Sequence, residues 1–179
     1  NIVNEPASTK FVLNLPGDSL PIETKLIGLF NVSNILCAAT IASGLGIESG
    51  VVQEGIEALA GINGRMERID LGQTFLAIVD FAHSPVSLER ALQTLRPLVT
   101  SDSEGNPGRL ISIFGCAGLR DRQKRRLMGR TSAQLADFTI VTAEDPRTED
   151  LSEINREIEM GILEIADAAH YTIIPDRTE

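Results

Sequence analysis

Between residues 75 and 174 the sequence alternates short apolar runs with longer amphipathic stretches, and nothing else in the chain restricts its fold as much. The apolar runs cover residues 75–81, 110–114, 138–142 and 171–174. Between them, Leu88, Ala91, Leu92 and Leu95 recur at i, i+3, i+4 and i+7. Leu127, Met128 and Leu135 mark a second stretch, and Ile154, Ile158, Ile162 and Ile165 a third. Such spacing gathers each set on one face of a helix. Strands joined by helices of about ten residues or more require right-handed crossovers and a parallel sheet, so a Rossmann-like α/β domain is expected. Ser84-Pro85 supplies an N-cap and a first-turn proline for the first of these helices, and Ser152 reads as the cap of the third. Residues 75–81, interrupted only by Asp80, read as a strand covered on both faces. The polar loop 100–108 reads as a solvated excursion.

The first sixty residues follow another pattern. Residues 10–25 read as short strands broken by Pro16-Gly17 and Pro21. Residues 31–59 read as two helices. The first carries Ile35, Leu36, Ala39 and Ala42 and ends at Gly44 and Gly46; the second starts near Ser49 and carries Val52, Ile56 and Leu59. Ala60-Gly61-Ile62-Asn63-Gly64 is a helix exit and a linker, so the expected division is 1–62 and 63–179.

Composition limits the function classes. At 42% hydrophobic and 23% charged over 179 residues, the chain can bury a real core without disulfide staples. A formal charge of −9 argues against non-specific nucleic-acid binding. The absence of any apolar run near 18 residues predicts no membrane insertion. The first residues lack the basic and apolar regions of a signal peptide. Cys37 and Cys116 form no C-x-x-C pair, and with two scattered histidines they support neither a disulfide framework nor a zinc site. A reducing cytoplasm is the expected compartment.

Ligands of open parallel sheets bind beyond the carboxyl ends of the strands. Polar residues cluster at three of those ends: Asp80, His83 and Ser84; then Gly115 through Arg120 and Asp121, with Lys124, Arg125 and Arg126; then Glu144, Asp145, Pro146 and Arg147. Each cluster also has a plain reading. Asp80 suits a turn or a helix cap, and Asp145-Pro146 is ordinary turn chemistry. The basic run 120–126 suits a solvated helix face. The glycine loop at 115–118 lacks the dinucleotide fingerprint G-x-G-x-x-G, although its amides and the helix that follows suit an anion.

Taken in order, these residues resemble the Mur ligases. Gly28-Leu29-Phe30-Asn31-Val32-Ser33-Asn34-Ile35-Leu36-Cys37-Ala38-Ala39 resembles the G-x-[FH]-N-x-x-N-x-x-A-A segment late in their central domain. Gly64-Arg65-Met66-Glu67 resembles the G-R-M-E that opens their C-terminal domain, and Asp80-Phe81-Ala82-His83-Ser84-Pro85 resembles D-Y-A-H-T-P. Residues 115–128 resemble G-C-G-G-x-R-D-x-x-K-R-P-x-M, and Glu144-Asp145-Pro146-Arg147-Thr148-Glu149-Asp150 resembles D-N-P-R-x-E-D. The matches keep the family's order, cover roughly residues 25–179, and point to its MurE branch, the UDP-N-acetylmuramoyl-tripeptide synthetases.

The resemblance implies an ATP-dependent peptide ligase of the peptidoglycan pathway, using Mg2+. The γ-phosphoryl group activates the carboxylate of UDP-N-acetylmuramoyl-L-Ala-D-Glu as an acyl phosphate, and a diamino acid displaces the phosphate. Carried over residue by residue, Asn31 and Asn34 lie near the adenine, Arg65 reaches the ATP phosphates, Asp80 accepts from the ribose hydroxyls, and His83 lies beside the nucleotide. Arg120 and Arg147 hold carboxylates of the incoming amino acid, Asp145 stands where the family has an Asn that contacts it, and Lys124 acts electrostatically nearby. Ala117, Leu119 and Arg126 depart from the pattern, as does Glu144-Asp145 where Asp-Asn is commonest. Arg147 favours meso-diaminopimelate, because a buried arginine without a partner is costly, whereas Asp145 could welcome the ammonium of lysine or ornithine.

No G-x-x-x-x-G-K-[ST] loop and no G-K-G-H-E segment occur in the 179 residues, so the segment is expected to be incomplete and inactive alone, with ATP and Mg2+ held mainly upstream. A monomer is expected. Three alternatives stay open: a sister amide ligase of the folylpolyglutamate type or another paralogue, a Rossmann dehydrogenase, and a non-catalytic domain of ligase ancestry.

Overall fold

A computed structural model describes residues 2–5, 8–101 and 105–178, so the middle of the 100–108 loop lies outside the described residues. The chain separates into two units, Asn1–Phe81 and Ala82–Glu179.

The first unit opens with an antiparallel sheet of β1 (Val3–Asn4), β2 (Thr9–Leu15) and β3 (Asp18–Thr24), in the order β1-β2-β3. Leu15 pairs with Asp18, which leaves Pro16-Gly17 as a two-residue turn in which Gly17 takes the positive φ of 91° that the turn needs. Pro21 does not break β3 as its sequence context suggested. It sits opposite Val12 on an edge strand, where a missing N–H costs little, and its carbonyl accepts from Gln53 Nε2 at 2.7 Å. Helices α1 (Leu29–Gly44) and α2 (Ser49–Ala58) fall where the periodicity put them. Phe11, Leu13 and Ile22 of the sheet and Val32, Ile35, Ala39 and Val52 of the helices form one core.

Residues 75–81 correct the sequence reading. They contribute only β5 (Ala77–Val79), which pairs antiparallel with β4 (Glu67–Ile69) in a separate two-stranded ribbon of the first unit. The strand is not covered on both faces, since Phe75 and Phe81 are 69% and 58% exposed. The reason is local. Gly72 (φ 86°) turns the chain, Gln73 Oε1 accepts from Leu71 N at 2.7 Å, and Gln73 Nε2 donates to the Ile69 carbonyl at 2.6 Å. Closing this short connection restricts the chain less than a crossover to a distant strand.

The second unit is α/β. It runs α3 (Pro85–Leu95), β6 (Ile111–Phe114), α4 (Gln123–Leu135), β7 (Phe138–Val141), α5 (Leu151–Ile162) and β8 (Tyr171–Ile173). The three strands form a parallel sheet in the order β6-β7-β8, with Ile111 opposite Phe138 and Thr139 opposite Tyr171. Leu88, Leu92, Phe114, Met128, Val141, Ile154, Ile158 and Ile162 build its core. Ser132 and Thr139 hydroxyls meet at 2.8 Å inside it, satisfying each other where water is excluded. Helix α3 has the expected Ser84 cap, reinforced by a reciprocal bond between Ser84 N and Ser87 Oγ. Helix α5 is capped by Asp150 rather than Ser152; Asp150 Oδ1 accepts from Ser152 N at 2.8 Å, and its charge suits the positive end of the helix dipole. No helix among the described residues is long and apolar enough to cross a membrane.

Candidate functional site

In the first unit the chain is drawn tight around the start of the family-like segment at residue 64. Asp80 Oδ2 accepts from Met66 N at 2.8 Å, and Phe81 N donates to the Gly64 carbonyl at 2.7 Å. Met66, itself buried, has a φ of 48°, a conformation that needs such bonds to persist in a bulky residue. The Arg65 guanidinium carbon lies over the Phe81 ring, 4.8 Å from its centre, and among the described residues Arg65 makes no ion pair, which leaves its donors to an anion. The structure thus brings Arg65 and Asp80 together. Asn31 and Asn34 share the first turns of α1. Asn31 is buried and donates Nδ2 to the Ile27 carbonyl at 2.9 Å, while Asn34, which is exposed, donates to Asn31 Oδ1 at 3.4 Å. Asn31 spends its amide on fixing the helix entrance.

In the second unit the expected rim is built from the carboxyl ends of β6 and β7; Asp80 belongs to the first unit, so the three-strand rim reduces to two of the expected ends. The loop after β6 carries Arg120 and the loop after β7 carries Asp145 and Arg147. Gly118 N donates to the Asp145 carbonyl at 2.8 Å, and Arg147 N donates to Asp145 Oδ1 at 3.1 Å. Gly118 makes this approach possible, because a Cβ there would lie 2.0 Å from the Pro146 oxygen. Arg120 is exposed and makes no ion pair among the described residues; Arg147 Nε lies 3.7 Å from Asp145 Oδ2. Lys124, in the first turn of α4, donates Nζ to the His83 carbonyl at 2.9 Å, tying the entrance of α3 to the same end of the unit. His83 itself is exposed. Two exposed guanidinium groups on tethered loops, with the Asp145 carboxylate beside Arg147, suit a small zwitterion bearing more than one carboxylate.

Sequence reasoning missed what lies beneath. Arg125 does not belong to a solvated face: its side chain is fully buried. Arg125 Nη1 meets Glu149 Oε2 and Glu157 Oε2, each at 2.9 Å, and Nη2 donates to the Ala117 carbonyl at 3.3 Å. Glu149 Oε1 accepts from Leu119 N. Arg125 lowers the pKa of Glu149, and Arg122 together with Arg125 lowers that of Glu157, from the ordinary carboxylate value. The signal was present in the spacing, since Arg125, Met128, Gly129 and Ser132 form the buried stripe of α4 at i, i+3, i+4 and i+7. Cys116, beside Met128 Sδ at 3.8 Å, is buried and its thiol is pushed up to about 11 by that burial.

Comparison with known proteins gives this geometry a lineage. Residues 64–179 match the family described as Mur ligase, glutamate ligase domain. The chain is 43% identical over 171 residues, 96% of its length, to the UDP-N-acetylmuramoyl-L-alanyl-D-glutamate–2,6-diaminopimelate ligase of Syntrophomonas wolfei, covering 33% of that protein. It is 40% identical over its whole length to the enzyme of the same name from Bacillus licheniformis, covering 34% of it. It therefore spans about a third of the length of these relatives. A solved structure of a ligase of that name matches 99% of the chain and 34% of its own at 32% identity and a TM-score of 0.61. Folylpolyglutamate synthase from Mycobacterium tuberculosis, at 18% identity with a TM-score of 0.74 over 98% of this chain and 37% of that one, shares the fold. With the match running from the glycine before Arg65 through both tethered loops, the chain belongs to the Mur ligase family.

Proposed function

We propose that the chain is part of an ATP-dependent ligase that joins meso-diaminopimelate, in preference to lysine or ornithine, to UDP-N-acetylmuramoyl-L-Ala-D-Glu in peptidoglycan precursor synthesis. The observation that carries this reading is the tethering of the Arg120 loop to the Asp145–Arg147 loop at the carboxyl ends of two parallel strands. The names of the relatives support the same amino acid. In this reading residues 1–62 end the central domain, residues 63–179 belong to the C-terminal domain, and the ligase acts as a cytoplasmic monomer.

The chemistry explains the charge pattern. A carboxylate is a poor electrophile until phosphoryl transfer from ATP turns one oxygen into a leaving group and releases ADP. The amine of the diamino acid then attacks the carbonyl carbon, phosphate departs with the C–O bonding pair, and the nitrogen loses a proton. Arg120 and Arg147 hold the carboxylates that must not react, and Asp145 meets the ammonium. Lys124 raises the positive potential at the same rim. Arg65, over the Phe81 ring, suits the nucleotide phosphates; Asp80 has one oxygen not engaged by Met66 and suits ribose hydroxyls; Asn34, set by Asn31, and His83 are each assigned to the nucleotide by the family resemblance. Bound ATP supplies the phosphoryl group. Among the described residues no three His, Cys, Asp or Glu side chains gather to hold a metal, and the reading leaves Mg2+ to residues outside this segment.

The test assays the complete ligase with ATP and the UDP-linked dipeptide, offering diaminopimelate, lysine and ornithine separately. Diaminopimelate is the expected substrate, and Arg147→Ala is expected to lower kcat/KM for it at least about tenfold. Unchanged use of diaminopimelate by that variant would remove Arg147 from the site. The 179 residues alone are expected to give no turnover; product formed by them would overturn the division of labour.

A further inference from the structure

Among the described residues, two of the three non-glycine residues with positive φ lie in the tethered loops: Leu119 at 53°, next to Arg120, and Arg147 itself at 52°. Side chains other than glycine rarely settle there, so something must hold both loops in place. Glu149 accepts Leu119 N on one carboxylate oxygen and pairs with Arg125 on the other, while its own backbone N donates to the Pro146 carbonyl at 3.0 Å. Arg125 grips the Ala117 carbonyl two residues before Leu119 and is anchored on α5 by Glu157. One buried guanidinium and two carboxylates, Glu149 and Glu157, therefore join the strand-end loop of β6, the strand-end loop of β7 and α5. Arg125 has no surface exposed to a ligand, and its bonds go to two loop groups, Glu149 and the Ala117 carbonyl, and to Glu157 of α5.

We infer that Arg125 and Glu149 are positioning residues that set the separation of Arg120 and Arg147, and so the fit of the amino acid held between them. This rests on the assignment of those two arginines under Proposed function. The reach matters because two carboxylates on one amino acid have a limited span, and a loop shift of about 1 Å at such a site can cost orders of magnitude in productive binding.

The experiment is a double-mutant cycle in the complete ligase, combining Glu149→Gln with Arg147→Ala. The Gln side chain keeps the shape of Glu149 and an oxygen for Leu119 N but loses the ionic hold of Arg125. Glu149→Gln is expected to raise KM for the accepted amino acid about tenfold or more, with KM for ATP and for the UDP-linked dipeptide unchanged. In the Arg147→Ala background it is expected to add little further. Equal effects on all three KM values, no effect, or full additivity with Arg147→Ala would each overturn the inference, because a general loss of stability does not single out one substrate. Should Glu149→Gln fail to fold, Arg125→Lys is judged by the same criteria. If the parent ligase accepts lysine and not diaminopimelate, the substrate reading falls, and the cycle run with lysine still decides the positioning role.

Discussion

The two thiols of the chain illustrate how burial governs reactivity at single residues. Cys37 is exposed on α1, whereas Cys116 is buried between the sheet and α4, and burial raises its pKa to about 11. Only the thiolate attacks, so Cys116 is doubly protected, by access and by protonation. Titration of the native chain with an aromatic disulfide reagent near pH 8 is expected to show one fast thiol, and a second only after denaturation. Two fast thiols would mean that the core around Met128 opens readily. The same position shows how a residue's neighbours divide between legible and hidden. Gly115, Cys116 and Arg120 were readable as a family motif in the sequence. That Gly118 would touch Pro146 was not, because the contact depends on β6 and β7 pairing in one register, Ile113 opposite Ile140, with their loops leaving on the same side.

At the scale of elements, α4 and α5 approach each other through glycine. A Cβ on Gly129 would sit 2.1 Å from the Ile158 oxygen, and one on Gly161 would sit 1.9 Å from the Arg126 oxygen, all of them backbone groups that cannot swing aside. Gly55, inside α2, has nothing within 4 Å of its missing Cβ. One substitution therefore has opposite signs in two helices. Gly55→Ala is expected to stabilise by roughly 0.5–1 kcal/mol through helix propensity. Gly129→Ala is expected to destabilise by about 1–3 kcal/mol, since overpacking outweighs that gain. Urea unfolding of the two variants checks both, and a stabilised Gly129→Ala would contradict the close packing. Periodicity alone located α1, α2, α3 and α5, whose buried faces are mostly apolar and carry no charged side chain. It read α4 less well because that buried stripe begins with a charged residue, Arg125. It misassigned residues 75–81 because an apolar run does not say which strand it will join, and the Gly72–Gln73 turn offered a nearer one.

For the molecule as a whole, acid should act on the second unit through a small set of carboxylates. Glu149 is held below its ordinary value by Arg125 and by Leu119 N, Glu157 by Arg122 and Arg125, and Asp137 by Arg96 and the backbone of Leu110. Each has a lower pKa folded than unfolded, so its contribution is full above the ordinary carboxylate range. That contribution fades as pH falls from that range through the depressed folded values, where the unfolded chain binds more protons than the folded one. The Arg125 cluster makes the loss abrupt, since protonating Glu149 and Glu157 leaves a buried guanidinium with few acceptors. Tyr171 is the only tyrosine and no tryptophan is present, so intrinsic fluorescence reports on the second unit alone. Its hydroxyl donates to Glu159 at 2.6 Å, a contact that unfolding breaks. Thermal melts followed by this signal are expected to hold a steady midpoint between pH 7 and about 5 and to drop steeply below about 4. In Glu149→Gln one of the titrating groups is gone, so its midpoint should start lower at neutral pH and fall less on acidification. Parallel curves for the parent chain and the variant would show that Glu149 carries no linked proton, and the buried pair would then contribute nothing to the acid response.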